Sequence, residues 1–252
     1  MLGGELVHQT SDEYGSIEVI DYMQQFRSLH FGNATQQSAS LLCNPYFLVH
    51  KYAQAMTLPL CWLKAQRVLV LGLGAGSIVK YLYNYFPDLI IDAVELRPKV
   101  TDVAIEYFLL PEPDKRFNVY HGAAEEWLLK KAHCQYDLII VDVFMTSNSG
   151  KDITIDISNA FSKISQLLTE SGVAVFNYLG PDALSYPGYD DLCQFFKQPI
   201  KYIDVESTNS IILASKSPIP DQITESDHKR ISEICTIDYA NYLSLMKPMA
   251  TL

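Results

Sequence analysis

Three glycines and two acids carry the chemistry open to this chain. Gly72-Leu73-Gly74-Ala75-Gly76 follows the apolar run Val68-Leu69-Val70-Leu71 and precedes a helical pattern starting at Ser77. Glycine lets the backbone turn tightly and come close to a ligand, and the N–H groups opening a helix point into the space so made. Glu95 ends the next apolar run, about 20 residues on, where a carboxylate accepts hydrogen bonds from ribose hydroxyls. Dinucleotides and S-adenosyl ligands both use this geometry. The spacing G-x-G-x-G, with Ser77 in the later position, disfavours a dinucleotide, and nothing else points to hydride transfer. Asp142 ends a further apolar run, Leu138-Ile139-Ile140-Val141. Ligands of open α/β sheets sit beyond the carboxyl ends of the strands, so Asp142 should face the same crevice as Gly74 and Glu95.

Placing these residues together takes a parallel sheet, and the sequence patterning supplies one. Between 64 and 215, apolar runs alternate with helical patterns, which predicts a doubly wound α/β sheet. Strands are expected at 67–71, 89–95, 117–120, 136–142 and 173–177. Helices are expected at 77–86, from Pro98, at 123–131, 157–168 and 190–196, with Gly172 breaking the chain before the last of those strands. A hairpin of 201–206 and 210–214 closes the region. Residues 1–63 read as a small antiparallel β subdomain plus a helix. Its strands are 16–21 and 25–31, Gly32-Asn33 turns the chain, and Asn44 with Pro45 opens a helix to Met56. After Pro218 and Pro220, residues 216–252 form a tail, helical from about 225 to 246. No internal repeat is present.

Composition narrows the function classes. Of 252 residues, 48% are hydrophobic and 19% charged. The mean hydropathy is +0.05, so a full core is expected and general disorder is not. The net charge of −10 comes without any Lys/Arg cluster, which argues against a general nucleic-acid binder. No stretch approaches the roughly 18 apolar residues of a membrane span, and residues 1–10 do not read as a signal peptide. Five cysteines without C-x-x-C are expected to be reduced thiols of a cytoplasmic protein. The six histidines lack metal-ligand spacing, so no metal is expected.

The segments Val68 to Ser77, Ala93-Val94-Glu95 and Tyr136 to Asp142 resemble the spermidine/spermine synthase family. These are aminopropyltransferases on a class I methyltransferase-like Rossmann fold. Gly32 and Gln37-Ser38 resemble the family's small β domain and its glutamine near the nucleoside, and Phe161 to Asn177 its later helix and strand. The resemblance implies that Gly72, Gly74, Ala75 and Gly76 form the loop beside an S-adenosyl ligand, with Gln37 close to the nucleoside. Glu95 would take the ribose hydroxyls, and Gly122-Ala123-Ala124 would lie near the adenine. Asp142 would deprotonate the attacking amine. A small-molecule acceptor and a homodimer are implied as well.

Several positions depart from the family pattern. Ala75 stands where a loop aspartate would hold the ammonium of decarboxylated S-adenosylmethionine, which predicts little discrimination against the intact form. Gly122-Ala123-Ala124 replaces Gly-Asp-Ala, and Met145 replaces a second acid after Asp142. Asn44 to Lys51 lacks the acids expected before a Tyr-His-Glu. Ser185-Tyr186-Pro187-Gly188 lies too early to be the family's Tyr-Pro-x-Gly and reads as a turn. Polyamine affinity is then expected to be weak unless Asp152, Asp156, Asp182 or the small domain compensates, and these acids read as loop and cap residues. Three functions remain open at this point: aminopropyl transfer with altered amine recognition, methyl transfer from S-adenosylmethionine to a small molecule, and nucleoside binding without catalysis.

Overall fold

The computed structural model describes residues 4–32, 36–131, 134–146, 152–154, 158–180, 182–186, 188–196, 200–206, 208–234 and 237–249. Four strands open the chain: β1 (Glu5–Asp12), β2 (Gly15–Tyr22), β3 (Phe26–His30) and β4 (Gln36–Leu41). They pair in sequence order as an antiparallel sheet. Strand β1 leaves no signal in the sequence, because its residues are mostly exposed and show no clear apolar alternation. The first helix, α1 (Lys51–Met56), is shorter than the sequence suggests and follows His50 in extended backbone. Residues 45–50 are instead a turn segment, with Phe47 N–H donating to the Asn44 carbonyl at 3.2 Å.

Next come β5 (Arg67–Leu71), α2 (Ser77–Tyr85), β6 (Ile90–Glu95), α3 (Pro98–Phe108), β7 (Phe117–His121), α4 (Ala124–Lys130) and β8 (Tyr136–Val141). A short hairpin, β9 (Phe144–Thr146) with β10 (Asp152–Thr154), follows Asp142 directly. It is too short to leave a sequence signal. Then come α5 (Phe161–Leu167), β11 (Leu168–Leu179), α6 (Tyr189–Phe195), β12 (Lys201–Val205) and β13 (Asn209–Ser215). The tail holds α7 (Glu225–Ile234), α8 (Tyr239–Leu245) and β14 (Lys247–Pro248). Gly172 does not separate helix from strand. β11 already starts at Leu168, and its register against β8 shifts between Leu168 and Val173. Residues 155–157, where the sequence starts a helix, and Asp156, Pro187 and Ser207 lie outside the described residues.

The large sheet has the order β14-β12-β13-β11-β8-β5-β6-β7. Strands β7, β6, β5, β8 and β11 run parallel, and β13, β12 and β14 close one edge antiparallel. The central parallel strands β5, β6 and β8 are almost wholly buried, as expected when both sheet faces are covered, while the edge strand β7 is only partly so. Val68, Val70, Leu138 and Ile140 pack into one apolar cluster with the tail residues Ile231 and Tyr242. Leu69, Leu71, Ile139 and Val141 pack into another with Phe161 and Leu192. The tail is built into this core. The hydroxyls of Tyr239 and Thr57 meet at 2.8 Å, and Tyr242 donates to Gln54 at 2.9 Å.

Chain order reverses between β5 and β8. From β5 the chain builds outward through β6 and β7, then returns to place β8 on the other side. That crevice is the switch point of the sheet, and both Gly72 and Asp142 emerge there.

Candidate functional site

A cavity of about 340 Å³ opens at this switch point, within the range of small-molecule pockets. It is walled by the glycine loop, the ends of β6 and β8, the start of α4 and the small sheet. Of the residues singled out in the sequence, Gln37, Gly72, Gly74, Glu95, Gly122, Ala123, Ala124 and Asp142 line it.

The ends of β5 and β8 touch. Asp142 N–H donates to the Leu71 carbonyl at 2.8 Å. A Cβ on Gly72 would lie 2.1 Å from the Asp142 carbonyl oxygen, and its φ of +88° belongs to glycine. Gly74 is constrained from outside, because a Cβ there would come within 2.8 Å of Ser38 Oγ on β4. Ser38 Oγ also accepts from Ala75 N–H at 3.2 Å, pinning the loop to the small sheet.

Glu95 fixes the other side of the loop. One carboxylate oxygen accepts from Leu73 N–H at 3.0 Å and Gly74 N–H at 3.4 Å, and the other from Arg97 N–H at 2.9 Å. Burial raises its pKa, and these three backbone donors work against that rise. Arg97 also lines the cavity, but its charge is spent on Asp12. Nε and a terminal nitrogen bind the two Asp12 oxygens at 3.0 and 2.8 Å, and Gly15 O accepts at 2.9 Å. The guanidinium sits 4.6 Å from the Phe31 ring centroid, a cation–π distance.

Asp142 is half-buried between the cavity and the sheet. Its carboxylate accepts from Asn177 Nδ2 at 2.8 Å, and Asn177 in turn accepts from Asn209 Nδ2 at 2.8 Å. Burial pushes the Asp142 pKa up from 3.8 to about 6, against the Asn177 bond. The Tyr52 phenol beside it is driven well above its ordinary value by burial and by the Asp142 charge, so it stays a donor.

Two of the sequence-derived site residues are placed elsewhere. Ala75 and Gly76 do not line the cavity. Ala75 is fully buried in an apolar cluster with Ile17, Val19, Val100 and Phe108. A carboxylate at position 75 would enter that cluster, not the cavity. Ala75→Asp should therefore destabilise the protein by several kcal/mol, the order of an unpaired buried charge. Chemical denaturation is the check, and an undiminished midpoint would mean the side chain escapes to the cavity. The Gly76 Cβ direction is filled by Leu110.

Sequence reasoning missed Tyr14, Phe31, Tyr52, Glu125 and Asn177. Asn177 carried a usable signal, since it ends a buried apolar run just as Glu95 and Asp142 do. Glu125 stands in the first turn of α4 and lines the cavity. Tyr52 lies on α1, whose start the sequence misplaced. Asp182 accepts from Leu184 N–H at 3.0 Å as a local cap and does not line the cavity. Among the described residues no group of acids, histidines and cysteines could hold a metal ion, and no helix is long and apolar enough to cross a membrane. No disulfide joins Cys43, Cys61, Cys134 and Cys193.

With Arg97 neutralised by Asp12, three acidic residues line the cavity among the described residues: Glu95, Glu125 and Asp142. Such a site favours a cationic ligand, and Asp142 can gain or lose a proton near neutral pH.

No family model matches the chain. It is 32% identical over 157 residues to a polyamine aminopropyltransferase of Chromobacterium violaceum, an alignment spanning 62% of this chain and 59% of that protein. It is 27% identical over 229 residues to the polyamine aminopropyltransferase of Neisseria meningitidis, covering 88% of this chain and 85% of the relative. Among solved structures, a probable spermidine synthase from Corynebacterium glutamicum superposes with a TM-score of 0.74 at 19% identity, over 91% of this chain and 86% of that one. Human methyltransferase-like protein 13 in complex with SAH gives 0.58 at 21% identity, over 80% and 95% of the two chains. A spermidine synthase in complex with the transition-state analogue AdoDATO gives 0.66 at 13% identity, over 95% and 87%. The methyltransferase-like sheet with its small N-terminal β sheet is thus shared in fold with spermidine synthases and a methyltransferase, and the chain is similar in sequence to polyamine aminopropyltransferases across most of its length.

Proposed function

We propose that the cavity binds an S-adenosyl donor and that the protein transfers its aminopropyl group to a small-molecule amine. The observation that carries this is Asp142: a carboxylate held by Asn177, with a pKa of about 6, facing the same cavity as Glu95 and the glycine loop. An amine of pKa ~10 arrives protonated and cannot attack. A carboxylate beside it first holds the cation and then takes its proton. The freed lone pair attacks the carbon next to the sulfonium, that C–S bond breaks, and its electrons return to sulfur to give neutral 5′-methylthioadenosine. One proton is released per turnover. Glu95 would hold the ribose, Gln37 and the stretch Gly122 to Glu125 the nucleoside, and the acidic lining would favour the cationic donor. The similarity to aminopropyltransferases supports the same reading.

Methyl transfer from S-adenosylmethionine is the second reading, favoured by the likeness to a methyltransferase in complex with SAH. One experiment separates the two. The pure protein is titrated calorimetrically with S-adenosylmethionine, its decarboxylated form and methylthioadenosine, then incubated with each donor and a diamine, with products weighed by mass spectrometry. Addition of an aminopropyl unit is expected, addition of a methyl group supports the second reading, and the absence of binding by all three overturns both.

Glu95→Ala tests the nucleoside end. It should weaken methylthioadenosine by about 1.5–3 kcal/mol, the range for bonds to a charged group. It should also lower stability, because Leu73, Gly74 and Arg97 lose an acceptor. Unchanged affinity in a folded variant would move the ribose elsewhere.

A further inference from the structure

Behind Asp142 lies a second, enclosed space of about 20 Å³, whose lining includes His50, Tyr52, Ser77, Gly72 and Asp142. About 10–15 Å³ suffices for one water, provided polar partners surround it. Two of its lining residues offer them. His50 Nε2 and Ser77 Oγ are buried and make no hydrogen bond to any described residue. Buried polar atoms of this kind are ordinarily satisfied, by ordered water where protein is absent. Asp142 and Tyr52 line this space and the main cavity alike, so the carboxylate forms part of the wall between them.

His50 spans from this space toward the surface. Its ring stacks on Tyr52 at 5.5 Å between centroids and feels the charge of Glu206, which pairs with Lys51 at 2.8 Å. Glu206 and Lys51 are both well exposed. The charged and titratable groups around His50 are thus Asp142 and Tyr52 on the inner side and Glu206 and Lys51 on the outer.

We propose that a single water held by His50 Nε2 and Ser77 Oγ links Asp142 to His50, and that His50 is the relay through which the proton taken from the acceptor amine leaves the site. The inference rests on the transfer reading for its purpose. Asp142 takes one proton from the ammonium during attack. It passes that proton to the water as the water donates one of its own to Nε2. The imidazolium then gives up Nδ1–H on the outer side, toward Glu206 and solvent. Asp142 returns to a carboxylate, the water is restored, and His50 is left as the other neutral tautomer, which exchange with solvent resets. Burial holds the His50 pKa below 6.5, so the ring is neutral at pH 7 and able to accept.

The test has two arms. In the first, His50 is titrated by 15N NMR in the wild type and in Asp142→Asn, without substrate. Coupling across the water should lower the His50 pKa in the variant by on the order of half a unit or more, since a neighbouring negative charge is lost. Identical titrations overturn the link. In the second, transfer is measured in His50→Gln and His50→Ala. Turnover should fall roughly tenfold to a hundredfold, within the range for a lost proton-transfer group, with KM and methylthioadenosine affinity unchanged. Added imidazole should restore His50→Ala, which a merely structural histidine would not allow. Full turnover in both folded variants overturns the relay while leaving the transfer reading intact. A wild type that transfers nothing overturns that reading, and the NMR arm still decides the link.

Discussion

Asp142→Asn should give a protein that has lost transfer and gained stability. Asparagine keeps the shape and can still accept the Asn177 bond, but it neither holds a cation nor takes a proton. The loss of turnover should reach about 10²–10⁴-fold, the weight of a positioned general base, while methylthioadenosine binds as before. The stability effect follows from the raised pKa. A carboxyl whose value moves from 3.8 when unfolded to about 6 when folded favours the folded state in its protonated form. That contribution is whole below pH 3.8 and is lost as pH rises through 6. At pH 7 the ionised side chain therefore costs about 3 kcal/mol relative to a neutral one. Asp142→Asn should recover about 1–3 kcal/mol at pH 7 and nothing at pH 3.5. Denaturation at several pH values checks this, and a variant less stable than wild type at pH 7 would mean the carboxylate is well solvated or paired.

Lys80 should show the opposite pH behaviour. It is 1% exposed on α2, donates to the Phe108 carbonyl at 2.8 Å and reaches Ser40 Oγ at 3.4 Å. No carboxylate pairs with it among the described residues, and burial lowers its pKa from 10.5 to about 8. Below pH 8 both folded and unfolded chains carry the proton, and the folded state bears the full desolvation penalty of about 3 kcal/mol. The penalty fades between pH 8 and 10.5. Lys80→Met, similar in length and apolar, should stabilise the protein by about 2 kcal/mol at pH 7 after roughly 1 kcal/mol for the lost bond to Phe108. The gain should vanish above pH 10.5. A variant destabilised at pH 7 would show that tying α3 to β4 outweighs the desolvation.

The sequence made the parallel sheet legible because its strands are continuous apolar runs, each closed by a polar residue at the carboxyl end. Glu95 and Asp142 were found by that rule, and Asn177 obeys it too. The small sheet was only partly legible, since β1 is exposed and its partner is simply the next strand. The start of α1 was misread because Asn44-Pro45 has the chemistry of a helix opening, yet the chain turns there and the helix waits until Lys51. Ala75 shows a different limit. Its place in the loop is readable, but the direction of its Cβ depends on how the small sheet packs over α2 and α3, which one sequence does not reveal. Tyr52, Phe31 and Tyr14 reach the cavity only through that packing.

The Arg97–Asp12 pair joins residues 85 positions apart in the chain. Asp12 leaves the ribosome long before Arg97, so β1 gains this anchor only when α3 begins, after β4 can already meet the glycine loop and α2 through Ser38 and Ser40. Loop closure over such a span is slow compared with local helix formation. The outer wall of the cavity is thus expected to close late in folding, and ligand capture becomes a reporter of it. In refolding, recovery of methylthioadenosine binding should lag behind recovery of helical signal, and Arg97→Met should lengthen that lag while leaving the earlier phase unchanged.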